Sequence, residues 1–387
     1  MFAEKTVLRI PGPTPVPPEV ARAMGHAMVG HRSSEFSALL AEVLADLRAL
    51  MQTSGSVAIL AGTGTAGLET ALLNLVQPNE EILSVSTGNF GDRFADIASR
   101  VGATVRTLSY EWGQAARAED IERALAEQPG VKVVLVTHCE TSTGVLNDVR
   151  AIAEVVHRRG GYLVVDAVSS FIGAPLPIDE WRVDVVVTGS QKALGLPPGL
   201  TLVGVSGRAA ERMKEIPRRT LYFDLVRYFK DAQVDTTPFT PPVSLVYGLQ
   251  ASLALLRQEG LQQAQRRHLL LRDMTRAGVR AIGLPLLVAQ DADASPTVTT
   301  VGLLDFDADA VRKVMKSELH VAIAGGQKHL AGKILRIGHM GYIDAGDVLH
   351  YLACLETALA KTGHAAALGA GVAAAQEVYL RHAHTGH

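Results

Sequence analysis

Short apolar runs alternate with amphipathic stretches over the first half of the chain. Runs rich in β-branched residues and bounded by turn formers predict strands, whereas apolar residues three and four apart predict helices. The predicted strands are residues 56–60, 81–85, 131–136, 162–165, 184–188 and 200–205. The predicted helices are residues 36–50, 66–75, 94–101, 118–128 and 149–158. This alternation favours the α/β class, with a largely parallel sheet covered by helices.

The pattern changes in the second half. Residues 208–230 are rich in Arg and Lys mixed with acids and aromatics, which favours a solvated helical face. A helical region is predicted from 244 to about 278, after a proline-rich break. Strands at 297–303 and 333–337 and helices at 309–319 and 344–361 then follow. The length of 387 residues suits two domains. We predict an extended N-terminal arm (1–18), a large domain (19–262) and a small C-terminal domain (263–387).

Composition narrows the class of protein. The chain is 48% hydrophobic and 20% charged with a net charge of −2, so nucleic acid or an anionic membrane is not expected as a partner. No apolar run approaches the roughly 18–20 residues of a membrane span or resembles a signal peptide. The two cysteines indicate a reducing compartment, and we expect a cytoplasmic enzyme. The last nine residues hold three of the 13 His, without a partnering pattern, so no metal site is predicted.

Lys192 lies in a Gly- and Pro-rich loop directly after the apolar run 183–187. A lysine at a strand end among small and apolar residues is desolvated, and desolvation lowers its pKa. A neutral amine can attack a carbonyl and form a Schiff base. From this segment alone, a loop lysine that caps a helix or pairs with a carboxylate remains an alternative.

Asp166 ends another apolar strand, at residues 162–165. Parallel strands bring such ends to one edge of a sheet, where α/β proteins collect their chemistry. A pyridoxal phosphate enzyme needs this pair of residues: a lysine to hold the aldehyde and a carboxylate to keep the pyridine nitrogen protonated. Taken alone, Asp166 would instead be a helix cap or a salt-bridge partner.

Three segments together resemble one enzyme family. They are Thr137-His-Cys-Glu-Thr-Ser-Thr-Gly-Val145, Val165-Asp-Ala-Val-Ser-Ser170, and Gly189-Ser-Gln-Lys-Ala-Leu194 with the following Pro197-Pro-Gly199. They resemble the class V aminotransferases, above all the alanine–glyoxylate, serine–pyruvate and serine–glyoxylate enzymes. The resemblance extends from Pro11 to Gly338. It implies fold type I of the pyridoxal-phosphate-dependent transferases, with a mostly parallel seven-stranded sheet and a smaller α+β domain. It also implies pyridoxal 5'-phosphate as cofactor and a homodimer.

The resemblance assigns roles residue by residue. Lys192 and Asp166 would be catalytic, and the other expected cofactor contacts are Gly64, Thr65 and Gln191 at the phosphate, Phe90 stacked on the ring, Thr141 at the phenolic oxygen and Thr240 at the neighbouring subunit's phosphate. Arg336 would bind the substrate α-carboxylate, and Gly12 would line the entrance. The chain departs from common family residues at Thr65, where relatives often have His, and at Thr237, where they often have Tyr.

Other functions compete with this interpretation. Gly62-Thr-Gly-Thr-Ala-Gly67 satisfies G-x-G-x-x-G, the basis for a nicotinamide-dependent oxidoreductase, but the expected acid after the next strand is absent. A cysteine desulfurase would need a Cys on a mobile loop, and Cys354 falls in a helical pattern. A role in interaction only would require the loss of Lys192 or Asp166. Some relatives have carried a hydrogenase-subunit label, for which this chain offers no metal-ligand cysteines.

The expected substrates are small. Arg336 supplies one carboxylate clamp, and the motif segments show no second Arg for a side-chain carboxylate. An unpaired acid in a desolvated site would cost several kcal/mol. We therefore expect alanine or serine as amino donor and a 2-oxo acid, glyoxylate, as acceptor, with aspartate as an alternative donor. Arg32 could reverse this preference, because the sequence does not reveal where it lies relative to the pocket.

Overall fold

A seven-stranded sheet forms the centre of the computed structural model, which describes residues 6–385. Its strands in chain order are β1 (Ser56–Gly62), β2 (Glu81–Ser86), β3 (Thr104–Ser109), β4 (Val133–Thr137), β5 (Tyr162–Asp166), β6 (Val185–Gly189) and β7 (Gly199–Val205). Their spatial order is β1-β7-β6-β5-β4-β2-β3. Strand β7 runs antiparallel to β1 and β6, while the other neighbours are parallel. The α/β class is confirmed, with a mixed sheet.

Helices cover both faces of this sheet, which explains the nearly continuous apolar strands. In β4, Val134 and Val136 pack into one core and Val133 and Leu135 into the other. The helices up to the end of the sheet are α1 (Pro18–Met24), α2 (Ser34–Met51), α3 (Gly64–Leu75), α4 (Asn89–Arg100), α5 (Ala118–Glu127), α6 (Val149–Arg158) and α7 (Ile178–Trp181). They are followed by α8 (Gly207–Glu215), α9 (Leu225–Ala232), α10 (Val243–Glu259) and α11 (Leu261–Ala281).

A second core lies in the C-terminal part. It contains an antiparallel sheet of β8 (Val298–Val301), β9 (Ala324–Gly325) and β10 (Leu335–Gly338), in the order β8-β10-β9. This sheet packs with α11 and with α12 (Ala308–Ser317), α13 (Ala345–Lys361) and α14 (Ala370–Thr385). A short parallel pair, Val7–Leu8 with Val321–Ala322, ties the N-terminal arm to this part.

The differences from the sequence predictions include an edge strand, a break in a long helix and a helix in the C-terminal tail. Strand β3 was not predicted, because it is an edge strand whose side chains are mostly exposed and lack a clean apolar pattern. The single helical region expected at 244–278 is two helices, α10 and α11, which meet at Gly260 with a φ of +83°. The Ala- and Gly-rich tail forms α14, which buries Ala375 and Val378 in the second core.

The proposed division between residues 262 and 263 falls just inside α11. Ala264 packs with the core of the large sheet, whereas Leu271 and later residues of this helix pack with the second core. We keep the division as a proposal. The first five residues of the expected arm and the last of the three tail histidines lie outside the described residues. None of the helices within residues 6–385 has both the length and the apolar character of a membrane span.

Candidate active site

Strand ends from three places in the chain meet at one pocket. Asp166 ends β5, Lys192 lies three residues after β6, and α3 begins two residues after β1. The pairing of β7 with both β1 and β6 places the carboxyl ends of these last two strands at one sheet edge. The pocket has a volume of about 200 Å³ and is lined by Thr63, Gly64, Thr65, Leu68, Phe90, Arg93, Cys139, Thr141, Asp166, Val168, Ser169, Gln191 and Lys192. All the predicted cofactor-binding residues except Thr240 are therefore together.

The Lys192 amine is desolvated in this pocket. Burial lowers the pKa of Lys192 to about 8; the nearby charge of Arg336 acts in the same direction, while Cys139 and Asp166 oppose it. A larger fraction of this amine is therefore neutral near pH 7 than for an ordinary lysine. The amine donates a hydrogen bond to the Pro11 carbonyl oxygen. The position suits a nucleophilic amine.

The N-terminal arm covers Lys192. A Cβ on Gly12, where φ is +123°, would lie 2.6 Å from Lys192 Nζ, so this position needs glycine. Thr14 fixes the lysine loop in turn: its hydroxyl donates to the Lys192 carbonyl at 2.7 Å, and its amide to the Gln191 carbonyl at 3.1 Å. Gly12 thus lies directly against the lysine side chain.

Asp166 is a buried carboxylate with a single local donor. Val168 N–H donates to Oδ1 at 2.9 Å, the one hydrogen bond to this carboxylate among the described residues. Burial raises the pKa of Asp166 to about 6, and the backbone donor, Lys192 and Arg93 partly offset that effect. A protonated ring nitrogen would give this carboxylate the charged hydrogen-bond partner it lacks. The residue therefore fits the pyridine end of the cofactor.

The start of α3 fits a phosphate. The Thr63 side chain makes no capping hydrogen bond, so the first N–H groups of the helix remain available at the pocket wall. A Cβ on Gly64 would lie 2.4 Å from Val168 Cγ2, which explains the glycine. The Gln191 side-chain oxygen is buried without a hydrogen-bond partner in residues 6–385. An amide oxygen only accepts hydrogen bonds, so a phosphate at this end would be bound by the NH2 group of the same side chain.

Arg336 is a buried cation beside the pocket. Its Nε donates to the Gly325 carbonyl at 2.8 Å and its Nη1 to the Thr141 carbonyl at 2.9 Å, and within the described residues no carboxylate pairs with it directly. Burial lowers the pKa of Arg336 to about 10, and the charge of Glu140 opposes this. A substrate carboxylate would supply the missing anion. The Thr141 hydroxyl contacts Ser169 Oγ at 2.6 Å.

Thr240 lies elsewhere on the chain. It is exposed and 3.5 Å from His31 Nε2, and it does not line the pocket of its own chain. Arg32 donates to Thr236 Oγ1 and to the Thr237 carbonyl, so within this chain it is also away from the pocket. The Thr237 hydroxyl donates to the Phe239 carbonyl at 2.8 Å.

Sequence reasoning missed several residues of the site. Arg93 lines the pocket with its guanidinium 4.9 Å from the centre of the Phe90 ring. Glu140 is fully buried next to Thr141 and accepts backbone N–H groups of Phe90 and Gly91. The available signal was an acid that follows closely after the apolar run 133–136, because a charge at the end of a buried strand needs dedicated partners.

The mixed seven-stranded sheet, with helices on both faces and a second α+β core, is the fold of pyridoxal-phosphate-dependent enzymes of fold type I. The sequence model of the family described as "Aminotransferase class-V" matches residues 8–350, and the chain belongs to that family. It is an aminotransferase that uses pyridoxal phosphate.

Known proteins resemble the chain over nearly its whole length. The "Soluble hydrogenase, small subunit" of Synechococcus sp. (strain PCC 6716) is 42% identical to this chain. The alignment covers 97% of this chain and 98% of that protein. The L-aspartate–glyoxylate aminotransferase of Paracoccus denitrificans is 35% identical over 96% of this chain and 95% of its own. The crystal structure of an alanine–glyoxylate aminotransferase from Nostoc sp. superposes on this structure with a TM-score of 0.87 at 34% sequence identity. The match covers 93% of this chain and 96% of the Nostoc chain.

Proposed function

We propose that this enzyme transfers the amino group of alanine or serine to glyoxylate. The observation that carries the proposal is the buried guanidinium of Arg336 beside the pocket, whose charge acts on Lys192 and which hydrogen-bonds only carbonyl oxygens among residues 6–385. The alanine–glyoxylate structure from Nostoc sp. supports glyoxylate as acceptor. Aspartate is a second candidate donor, because the Paracoccus relative carries that name and Arg93 also lines the pocket.

In this proposal the cofactor and the residues of the chain have different roles. Bound pyridoxal phosphate supplies a ring that accepts electrons from the substrate. Lys192 would hold the cofactor until the substrate amine displaces it, and the freed lysine amine would then move the proton from the substrate Cα to the cofactor's C4′. Asp166 would keep the ring nitrogen protonated, and Arg336 would orient the substrate through its carboxylate.

The remaining residues would hold the cofactor in place. Phe90 would stack on the ring and exclude water, an effect of roughly 0.5–1.5 kcal/mol beyond burial. Thr141 would hydrogen-bond the phenolic oxygen. Gly64, Thr65 and Gln191 would bind the phosphate at the start of α3. Gly12, packed against Lys192, would narrow the entrance.

A substrate panel tests the proposed donor and acceptor. We expect kcat/KM with glyoxylate to be at least about tenfold higher for alanine or serine than for aspartate or glutamate, because an unpaired side-chain carboxylate must be desolvated. Glyoxylate should likewise exceed pyruvate and 2-oxoglutarate as acceptor. A clear preference for aspartate or 2-oxoglutarate would refute the proposal. The variants Arg93→Gln and Arg32→Gln would then identify which guanidinium binds the second carboxylate.

We further propose that the enzyme is a homodimer in which Thr240 reaches the partner's cofactor phosphate. Thr240 is exposed and lies outside its own pocket, as a residue that serves a second subunit would. Met28, Leu221 and Val234 are exposed apolar side chains that a partner could cover.

Because both cysteines are buried and free, we propose the cytoplasm as the location.

Mixed dimers test the role of Thr240. A Lys192→Ala protomer combined with a Thr240→Ala protomer, carrying different affinity tags, gives hybrids with one intact and one doubly damaged site. The intact site should be more active than a site of the Thr240→Ala homodimer, because it has both the lysine and the phosphate contact. Activity is measured per lysine-containing site after purification through both tags. A stable, fully active monomer would contradict the proposal.

A further inference from the structure

Glu140 lies where the segment before Thr141 meets the start of α4. It is fully buried, and its carboxylate accepts four donors. Phe90 N–H is 3.1 Å from Oε2, Gly91 N–H is 2.9 Å from Oε2, and the Ser142 N–H and hydroxyl are 3.1 and 2.5 Å from Oε1. Burial raises the pKa of Glu140, and the hydrogen bonds from Ser142, Gly91 and Phe90 oppose that effect. Every polar group on these two oxygens is a donor, which is the arrangement an ionised carboxylate needs.

Together, Glu140 and Ser142 cap α4. The Ser142 hydroxyl accepts Asn89 N–H at 3.0 Å, so the first three N–H groups of the helix all find acceptors in this segment. The N-cap residue is Gly88, which has no side chain to do this. A Cβ on Gly88 would lie 2.5 Å from Ser142 Oγ and 2.6 Å from Glu140 Cγ. The helix start that carries Phe90 is thus packed directly onto Glu140.

Glu140 also acts on Arg336. The Arg336 guanidinium is buried and hydrogen-bonds only carbonyl oxygens among the described residues, one of them that of Thr141, next to Glu140. The charge of Glu140 acts to raise the pKa of Arg336 and so stabilises this buried cation against the effect of burial. It also lowers the positive potential that Arg336 presents to an incoming carboxylate.

We propose that Glu140 is a positioning residue with two effects: it fixes Phe90 through the N-terminal turn of α4, and its charge weakens the hold of Arg336 on substrate carboxylates. The first effect sets the orientation of the ring that stacks on the cofactor. The second limits how tightly substrate and product bind, which favours release. The inference rests on the proposed roles of Phe90 and Arg336.

The Glu140→Gln holoenzyme separates this role from general damage. The amide removes the charge and turns an NH2 group toward backbone donors, so Phe90 should lose its fixed orientation. We expect kcat to fall by roughly 10- to 100-fold, as for a small misplacement in an active site. Inhibition by propionate, a carboxylate without an amino group, should instead become roughly threefold or more stronger, because Arg336 is no longer offset. Visible circular dichroism of the bound cofactor should also change.

Two further variants keep the charge. Gly88→Ala should push the start of α4 away from Glu140, and Ser142→Ala should remove one cap acceptor. Both should lower kcat and change the cofactor's circular dichroism without strengthening propionate inhibition. If the Glu140→Gln enzyme does not fold, Glu140→Ala replaces it in this test. It also removes the charge, so it should again strengthen propionate inhibition.

The outcomes are distinguishable. Folded Glu140→Gln or Glu140→Ala enzyme with unchanged propionate inhibition, or with inhibition weakened in parallel with kcat, overturns the proposal. An unchanged kcat and circular dichroism in both Glu140 variants overturns it as well. Arg336→Gln should abolish propionate inhibition. If it does not, the proposed role of Arg336 has failed, independently of Glu140.

Discussion

Replacing Lys192 by alanine is expected to abolish transamination and covalent cofactor attachment. Among the described residues that line the pocket, Lys192 alone carries a primary amine, and the burial that lowers its pKa to about 8 suits it to act as a nucleophile and proton carrier. Alanine–glyoxylate turnover should fall to background. Reduction of the holoenzyme with borohydride should no longer give the mass increment of one cofactor per chain.

Two companion variants sharpen this result. Lys192→Arg keeps a positive charge but cannot become neutral, so it should be as inactive as the alanine variant. Lys214→Ala removes an exposed lysine paired with Glu211 and should keep full activity. Retained turnover or a retained cofactor adduct in Lys192→Ala would remove the basis of the assignment.

Replacing Asp166 by asparagine should leave cofactor binding and remove most turnover. An amide keeps the size of the side chain but not the charge that stabilises a protonated ring nitrogen. Loss of one partner of a buried charged pair costs about 3–5 kcal/mol, which corresponds to roughly 10²–10³-fold or more in kcat if it is lost in the transition state. The measurements are kcat with alanine and glyoxylate and the cofactor content per chain.

The matched control is Asp96→Asn. Asp96 is an exposed carboxylate paired with Arg100 on α4, and its loss should change kcat little. If Asp166→Asn enzyme with full cofactor content turns over at nearly the normal rate, the carboxylate that serves the ring nitrogen lies elsewhere.

The sequence predicted the buried strands of the large sheet because helices cover both of its faces. Residues 133–136 are apolar without interruption since neighbouring side chains enter two different cores. The same reasoning failed at β3, where an edge strand with mostly exposed side chains contains Arg and three hydroxyl residues. It also missed the break at Gly260, because one glycine within a strongly helical pattern did not outweigh the pattern.

Motif resemblance placed Lys192, Asp166, Phe90 and Thr141 in one pocket, and the structure brings these four together. Motif resemblance did not predict contacts between segments that are distant in the sequence. Gly12 packs on Lys192, and Glu140 caps the helix that begins at Asn89. In both cases the two segments are far apart in the sequence, and no local pattern in either one indicates the contact. Thr240 could not be placed by either route within one chain, since its proposed contact belongs to a second subunit.

The central claim is that Lys192 carries the pyridoxal phosphate of an aminotransferase. Its most direct test is peptide mapping by mass spectrometry of the wild-type holoenzyme after borohydride reduction. We expect one modified lysine, Lys192, and loss of that modification when the enzyme is incubated with excess alanine before reduction. A cofactor adduct on another lysine, or an adduct on Lys192 that alanine does not remove, would contradict the account.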